Sequence, residues 1–141
     1  MTMLAEYLEA QVLTAAPHRL HLMLVDAAIR SLRQGLAALD ARDWLALDAA
    51  MNRARGCVAE LISGVRPDVA PELAERQKTL WLFVYRCAVL GELLRDQKQL
   101  ADALKILERH RETWLELQER LRSTATETTT VPEPHAQSWF G

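Results

Sequence analysis

VLTAAPHRLHLMLVDAAIRSLRQGLAAL, from Val12 to Leu39, decides the fold. Pro17 suits the first turn of a helix, where its missing N–H goes unused. From there Leu22, Val25, Ile29, Leu32, Leu36 and Leu39 recur at alternating three- and four-residue steps, so they share one helical face. Leu20, Met23, Leu24, Ala27 and Ala28 form a second apolar strip beside it, and His21, Asp26, Arg30 and Arg33 form a wet side. One apolar stripe is enough to seat a helix on a core. This helix has two, and the second needs a cover of its own.

The rest of the chain repeats the pattern. A short helix is expected over residues 2–11, ahead of the long one over 17–39. Asp43 is a good N-cap for the next, whose stripe is Trp44, Leu47, Met51, Ala54, Val58, Leu61 and Val65. Gly64 and Pro67 mark its end, and Pro71 opens a helix over 71–94. In that helix Leu73, Leu80, Val84, Cys87 and Leu94 share a face, Trp81, Tyr85 and Ala88 lie beside it, and Phe83 and Leu90 widen the apolar arc. It is the second helix with more apolar surface than one neighbour can cover. A last helix is expected over 97–122, with Leu100, Leu104, Leu107, Trp114 and Leu121 along its stripe. From Ser123 the chain turns rich in Thr and Pro and loses its core pattern, which predicts a disordered tail over 123–141 with two adjacent aromatics, Trp139 and Phe140. Long helices joined by short loops predict an all-α antiparallel four-helix bundle over residues 1–122, with a short extra N-terminal helix.

Composition narrows the function. Of 141 residues, 50% are hydrophobic and 26% charged, and the net charge is −2, so nothing in the bulk charge invites nucleic acid or an anionic membrane. Basic and acidic residues alternate rather than gather in a stripe. Cys57 and Cys87 sit within apolar helical patterns and read as reduced core residues. No signal peptide is visible and no apolar run is long enough for a membrane span, which predicts a cytoplasmic protein.

Chemical machinery is hard to find. No His has a Glu three residues before it, as a di-iron bundle would need. His18 and His21 share a face and could hold a metal only with a third ligand such as His110, whereas lone helical histidines are usually surface residues. The sequence has no HExxH, Walker loop or GxSxG. The expectation is a protein without catalytic residues, cofactor or metal.

The order of short motifs carries more information. Tyr7, then Val12-Leu13-Thr14-Ala15-Ala16-Pro17, then Leu20, Leu22-Met23-Leu24, Asp26 and Ala28-Ile29 resemble the signature of the FliS family of flagellar export chaperones. Asp43 and the Asn52–Ala59 run, Leu80-Trp81 with Phe83, and Arg111-Glu112-Thr113-Trp114 fall where that family has its later motifs. The resemblance covers about residues 4–120. Leu4, Ala16, Val25, Ala27, Trp81, Phe83 and Gly91-Glu92 depart from the family pattern, keeping apolar bulk while losing hydroxyls.

The resemblance implies a chaperone that binds the disordered C-terminal segment of flagellin, prevents premature polymerisation and delivers it to the type III export gate. Its client would lie in apolar grooves, a recognised mode of helix docking that needs an exposed apolar trough. Pattern and resemblance together choose Tyr7, Leu13, Leu20, Leu24, Trp81 and Tyr85 as groove anchors, with Trp44 and Trp114 in the core. Leu4, Tyr7 and Leu8 share a face and would cover the groove until a client displaces them. The rival reading is a structural or regulatory bundle whose surplus apolar face is a homodimer interface.

Overall fold

The computed structural model describes the backbone of residues 15–68 and 70–130 and the side chains of 19–68 and 70–125. Four helices follow one another: α1 Ala15–Asp40, α2 Trp44–Ser63, α3 Pro71–Leu93 and α4 Gln97–Thr130. No strand occurs among the described residues.

The helix boundaries have local causes. Asp43 caps α2, its Oδ1 accepting from the Ala46 N–H at 3.2 Å. Pro71 stands in the first turn of α3 behind an Ala70 that offers no capping side chain. The α1–α2 and α3–α4 turns are built alike. Arg42 and Arg95 take the left-handed conformation, with φ 54° and 52°. The next N–H in each turn reaches back five residues, from Asp43 to the Ala38 carbonyl and from Asp96 to the Gly91 carbonyl, both at 2.9 Å. Asp96 then accepts from the Lys98 N–H at 3.0 Å. One aspartate in each turn thus closes the old helix through its backbone and opens the new one through its carboxylate.

α1 packs on α2 and α4, and α3 packs on the same two, so α1 and α3 stand on a diagonal. The core between them is the set of stripes read from the sequence. Val25, Ile29, Leu32, Leu47, Met51, Val58, Leu61, Val84, Leu100 and Leu107 are buried, and Trp81 joins them with no exposed surface. Small residues let the helices close. A Cβ at Gly35 would stand 2.8 Å from Met51 Sδ, and one at Gly91 would stand 2.7 Å from Leu100 Cγ.

Three expectations change. The wet side of α1 is not all wet: His21 meets His110 on α4, Asp26 meets Arg111 at 2.6 Å, and Arg33 meets Glu108 at 2.7 Å. A polar seam between two helices has the same spacing as a solvated face, so periodicity could not separate them. Leu94 lies 63% exposed because it is the C-cap of α3, past the last turn that faces the core. α4 continues through Thr130, past the expected end at 122, because no proline or glycine interrupts it and Thr124 Oγ1 satisfies the Arg120 carbonyl at 2.9 Å. The helix expected over 2–11 and the tail beyond 130 lie outside the described residues.

Candidate functional site

Where the chain leaves apolar surface open is the functional question. On α1, Leu20 is 54% and Met23 65% exposed. On α3, Leu82 and Phe83 are each about half exposed. These are parts of the surplus strips, and because α1 and α3 are diagonal they face away from each other. A third patch, Leu45, Leu93 and Leu94, lies at the end of the bundle that carries the two tight turns.

Between α1 and α2 runs a groove lined by Leu24, Ala27, Arg30, Ser31, Gln34, Arg53, Gly56, Cys57 and Glu60, with a volume of about 530 Å³. Its floor is apolar or small and its rim charged. A second hollow, of about 420 Å³, lies between α2 and α3 against Trp44, Val89, Leu93 and Arg95. There the Arg95 guanidinium sits 3.7 Å above the centre of the Trp44 ring, and Arg55 pairs with Glu92.

Beside the exposed end of α1, three rings, His21, His110 and Trp114, close the α1–α4 seam over Trp81 of α3. His21 lies 4.1 Å from Trp114 between ring centres, and His110 lies 4.6 Å from Trp81. The two histidines share a hydrogen bond, Nε2 to Nε2, at 2.7 Å. One ring therefore donates and the other accepts. Burial pushes His110 down to about 4, so it is neutral at physiological pH. Among the described residues no three His, Cys, Asp or Glu side chains converge as a metal site, and His18 lies outside the described side chains. Burial also raises both Cys57 and Cys87, which keeps them as thiols.

The chosen anchors fare unevenly. Tyr7 and Leu13 lie outside the described residues. Leu20 is open to solvent, and Leu24 is partly buried in the α1–α2 groove. Trp81 is wholly inside the bundle, and Tyr85 is partly buried against the core. Leu20, Trp81 and Tyr85 do not line the groove that holds Leu24. Trp114 is core as expected, whereas Trp44 is only partly buried. Sequence reasoning passed over Met23, Leu82 and Phe83 as anchors, although the surplus strips contain Met23 and Phe83.

No helix among the described residues is long and apolar enough to cross a membrane. No curated protein matches the chain. The family model described as flagellar protein FliS matches residues 1–121, which takes in the opening motifs, all of α1, α2 and α3, and α4 through Leu121. With that span matched, and a four-helix all-α architecture beneath it, the chain belongs to the FliS family of flagellar proteins, a family of chaperones rather than enzymes.

Proposed function

We propose that this protein is a cytoplasmic export chaperone that holds the disordered C-terminal segment of flagellin, keeps it from polymerising early and passes it to the type III export apparatus. Family membership supports the general role. The observation that carries the finer reading is the apolar surface left over once the core is full: Leu20 and Met23 on α1, Leu82 and Phe83 on α3. A soluble bundle gains nothing by exposing such strips unless something else covers them. Leu20, Leu24 and Tyr85 remain proposed contacts. Tyr7 and Leu13 are proposed as part of an N-terminal cover that a client displaces. Trp81 would act from beneath, as a rigid wall.

The bundle is proposed to be antiparallel. Side-chain pairing supports this: as α1 ascends through Asp26 and Arg33, its partners on α4 descend through Arg111 and Glu108. Likewise Gly35 abuts Met51, and Cys57 feels the charge of Arg30.

Calorimetric titration with the C-terminal segment of each flagellin encoded in the same genome tests the function. Saturable binding at one segment per chaperone is expected; no binding to any of them sinks the reading. A second reading is favoured by Leu45, at 83% exposed, with Leu93 and Leu94 beside it at the turn end, a patch suited to homodimerisation. Light scattering at several concentrations separates the two.

A further inference from the structure

The exposed strip of α1 has no cover among the described residues. Leu20 is 54% and Met23 65% exposed. Arg19, also exposed, stands one turn before Met23 and forms no ion pair among the described residues. Positions three or four apart on a helix are neighbours. The strip therefore offers an aliphatic side chain, a thioether and a cation side by side. An aromatic ring suits all three: it buries against the leucine, meets sulfur favourably and stacks under a guanidinium.

The chain carries such rings itself. After Thr130, where α4 ends, the sequence continues Val131-Pro132-Glu133-Pro134-His135-Ala136-Gln137-Ser138-Trp139-Phe140. Reach decides which open patch these two aromatics can meet. The Trp114 ring lies 4.1 Å from that of His21, which falls between Leu20 and Met23 in sequence, so Trp114 marks the level of the strip. Sixteen residues of helix carry α4 from there to Thr130, about 24 Å. Trp139 stands nine residues past Thr130. Pro132 and Pro134 favour the polyproline conformation, in which that stretch spans about 28 Å. Doubling back leaves about 14 Å for the step from α4 to its neighbour α1, more than the roughly 8–10 Å between packed helix axes. The other patches are too far. Trp81 lies against His110, so Leu82 and Phe83 are over about 30 Å back along α4. Gly91 abuts Leu100, so Leu93 and Leu94 are over about 45 Å back.

We propose that Trp139 and Phe140 fold back and dock on Leu20 and Met23 of the same chain. Trp139 stacks against the Arg19 guanidinium and the Met23 thioether, and Phe140 lies on Leu20. A tether this short holds the rings at an effective concentration in the millimolar range, so a weak contact suffices. The chaperone reading gives the docking a use, since a client that takes this strip must displace the tail. The docking itself does not depend on that reading.

The test is methyl NMR on the full chain labelled at its methionines, alone and as the double variant Trp139→Ser/Phe140→Ser. The buried Met51 serves as internal reference, and Met23→Leu assigns the Met23 signal. In the parent the Met23 methyl is expected to carry an upfield ring-current shift. The double variant is expected to lose it while Met51 stays in place. Neither tail substitution touches the core, so loss of folding does not cloud the result. A Met23 signal identical in the two proteins overturns the inference. So does a Met23 signal that ignores the tail and answers to Tyr7→Ser, which gives the strip to the N-terminal segment. A shift that grows with protein concentration as a dimer appears in light scattering gives it to the tail of a second copy, and overturns docking within one chain. No client takes part, so the chaperone reading stands or falls separately, on its own titration.

Discussion

At the scale of single residues, the glycines form a graded series. Gly56→Ala adds a methyl in open space and gains helix propensity, so stability should rise by about 0.5–1 kcal/mol. Gly35→Ala meets the thioether of Met51, a flexible group, and should come out near neutral. Gly91→Ala meets the buried Leu100, both its side chain and its backbone nitrogen at 3.2 Å, neither of which can retreat, and should lose about 1–3 kcal/mol. Urea unfolding of the three variants checks the order; a Gly91→Ala as stable as the parent would show that α3 and α4 can slide apart freely. His110 sets the pH response. Its folded-state value lies near 4 against an ordinary 6.5, so between those values the unfolded chain binds more protons than the folded one. The contribution is complete above about pH 6.5 and fades as pH falls towards 4. At pH 5 the loss should be about 2 kcal/mol relative to pH 7. His110→Phe, which keeps a ring among His21, Trp81 and Trp114 but cannot titrate, should flatten most of that slope in urea unfolding measured at the two pH values.

At the scale of elements, the two tight turns share one design and one strain. Arg42 and Arg95 hold a left-handed conformation that disfavours any side chain. Arg42→Gly should therefore stabilise the fold by about 0.5–1 kcal/mol. Arg95→Gly should give less, because it also removes the guanidinium stacked on Trp44. Thermal melts of the two variants side by side check the difference. These turns also show how far the sequence could be read. Stripes such as Trp44, Leu47, Met51, Ala54, Val58 and Leu61 announced their helix, and Asp43 its start, because burial and capping are written in spacing and residue type. The turn conformation was not legible, since arginine gives no hint of a positive φ. Nor was the seam of His21, Asp26 and Arg33 against α4, because a polar side chain facing a polar partner looks like one facing water. The exposed strips were legible as surplus on α1 and α3, but periodicity could not say which members were uncovered. Trp81 was chosen as an anchor and is core; Met23 and Phe83, in the same arcs, are open.

At the scale of the whole molecule, the open surfaces do not form one trough. Leu20 and Met23 on α1 and Leu82 and Phe83 on α3 occupy opposite corners of the bundle, with α2 and α4 between them. A client that covers both must cross an intervening helix, and a disordered segment can do so where a preformed helix cannot. The α1–α2 groove adjoins the α1 corner and so offers one route across. Met23→Glu and Phe83→Glu should each leave the melting temperature nearly unchanged, since neither side chain belongs to the buried core, and each should weaken binding of the flagellin segment. Because the two residues stand on diagonal helices, their free-energy losses should add to within about 0.5 kcal/mol in the double variant. Calorimetry on the four proteins of this cycle checks it. Should only one substitution matter, the client is confined to one face and the other strip has a different occupant. Should two segments bind per chaperone, with each substitution abolishing one, the faces work as separate sites and the client does not wrap.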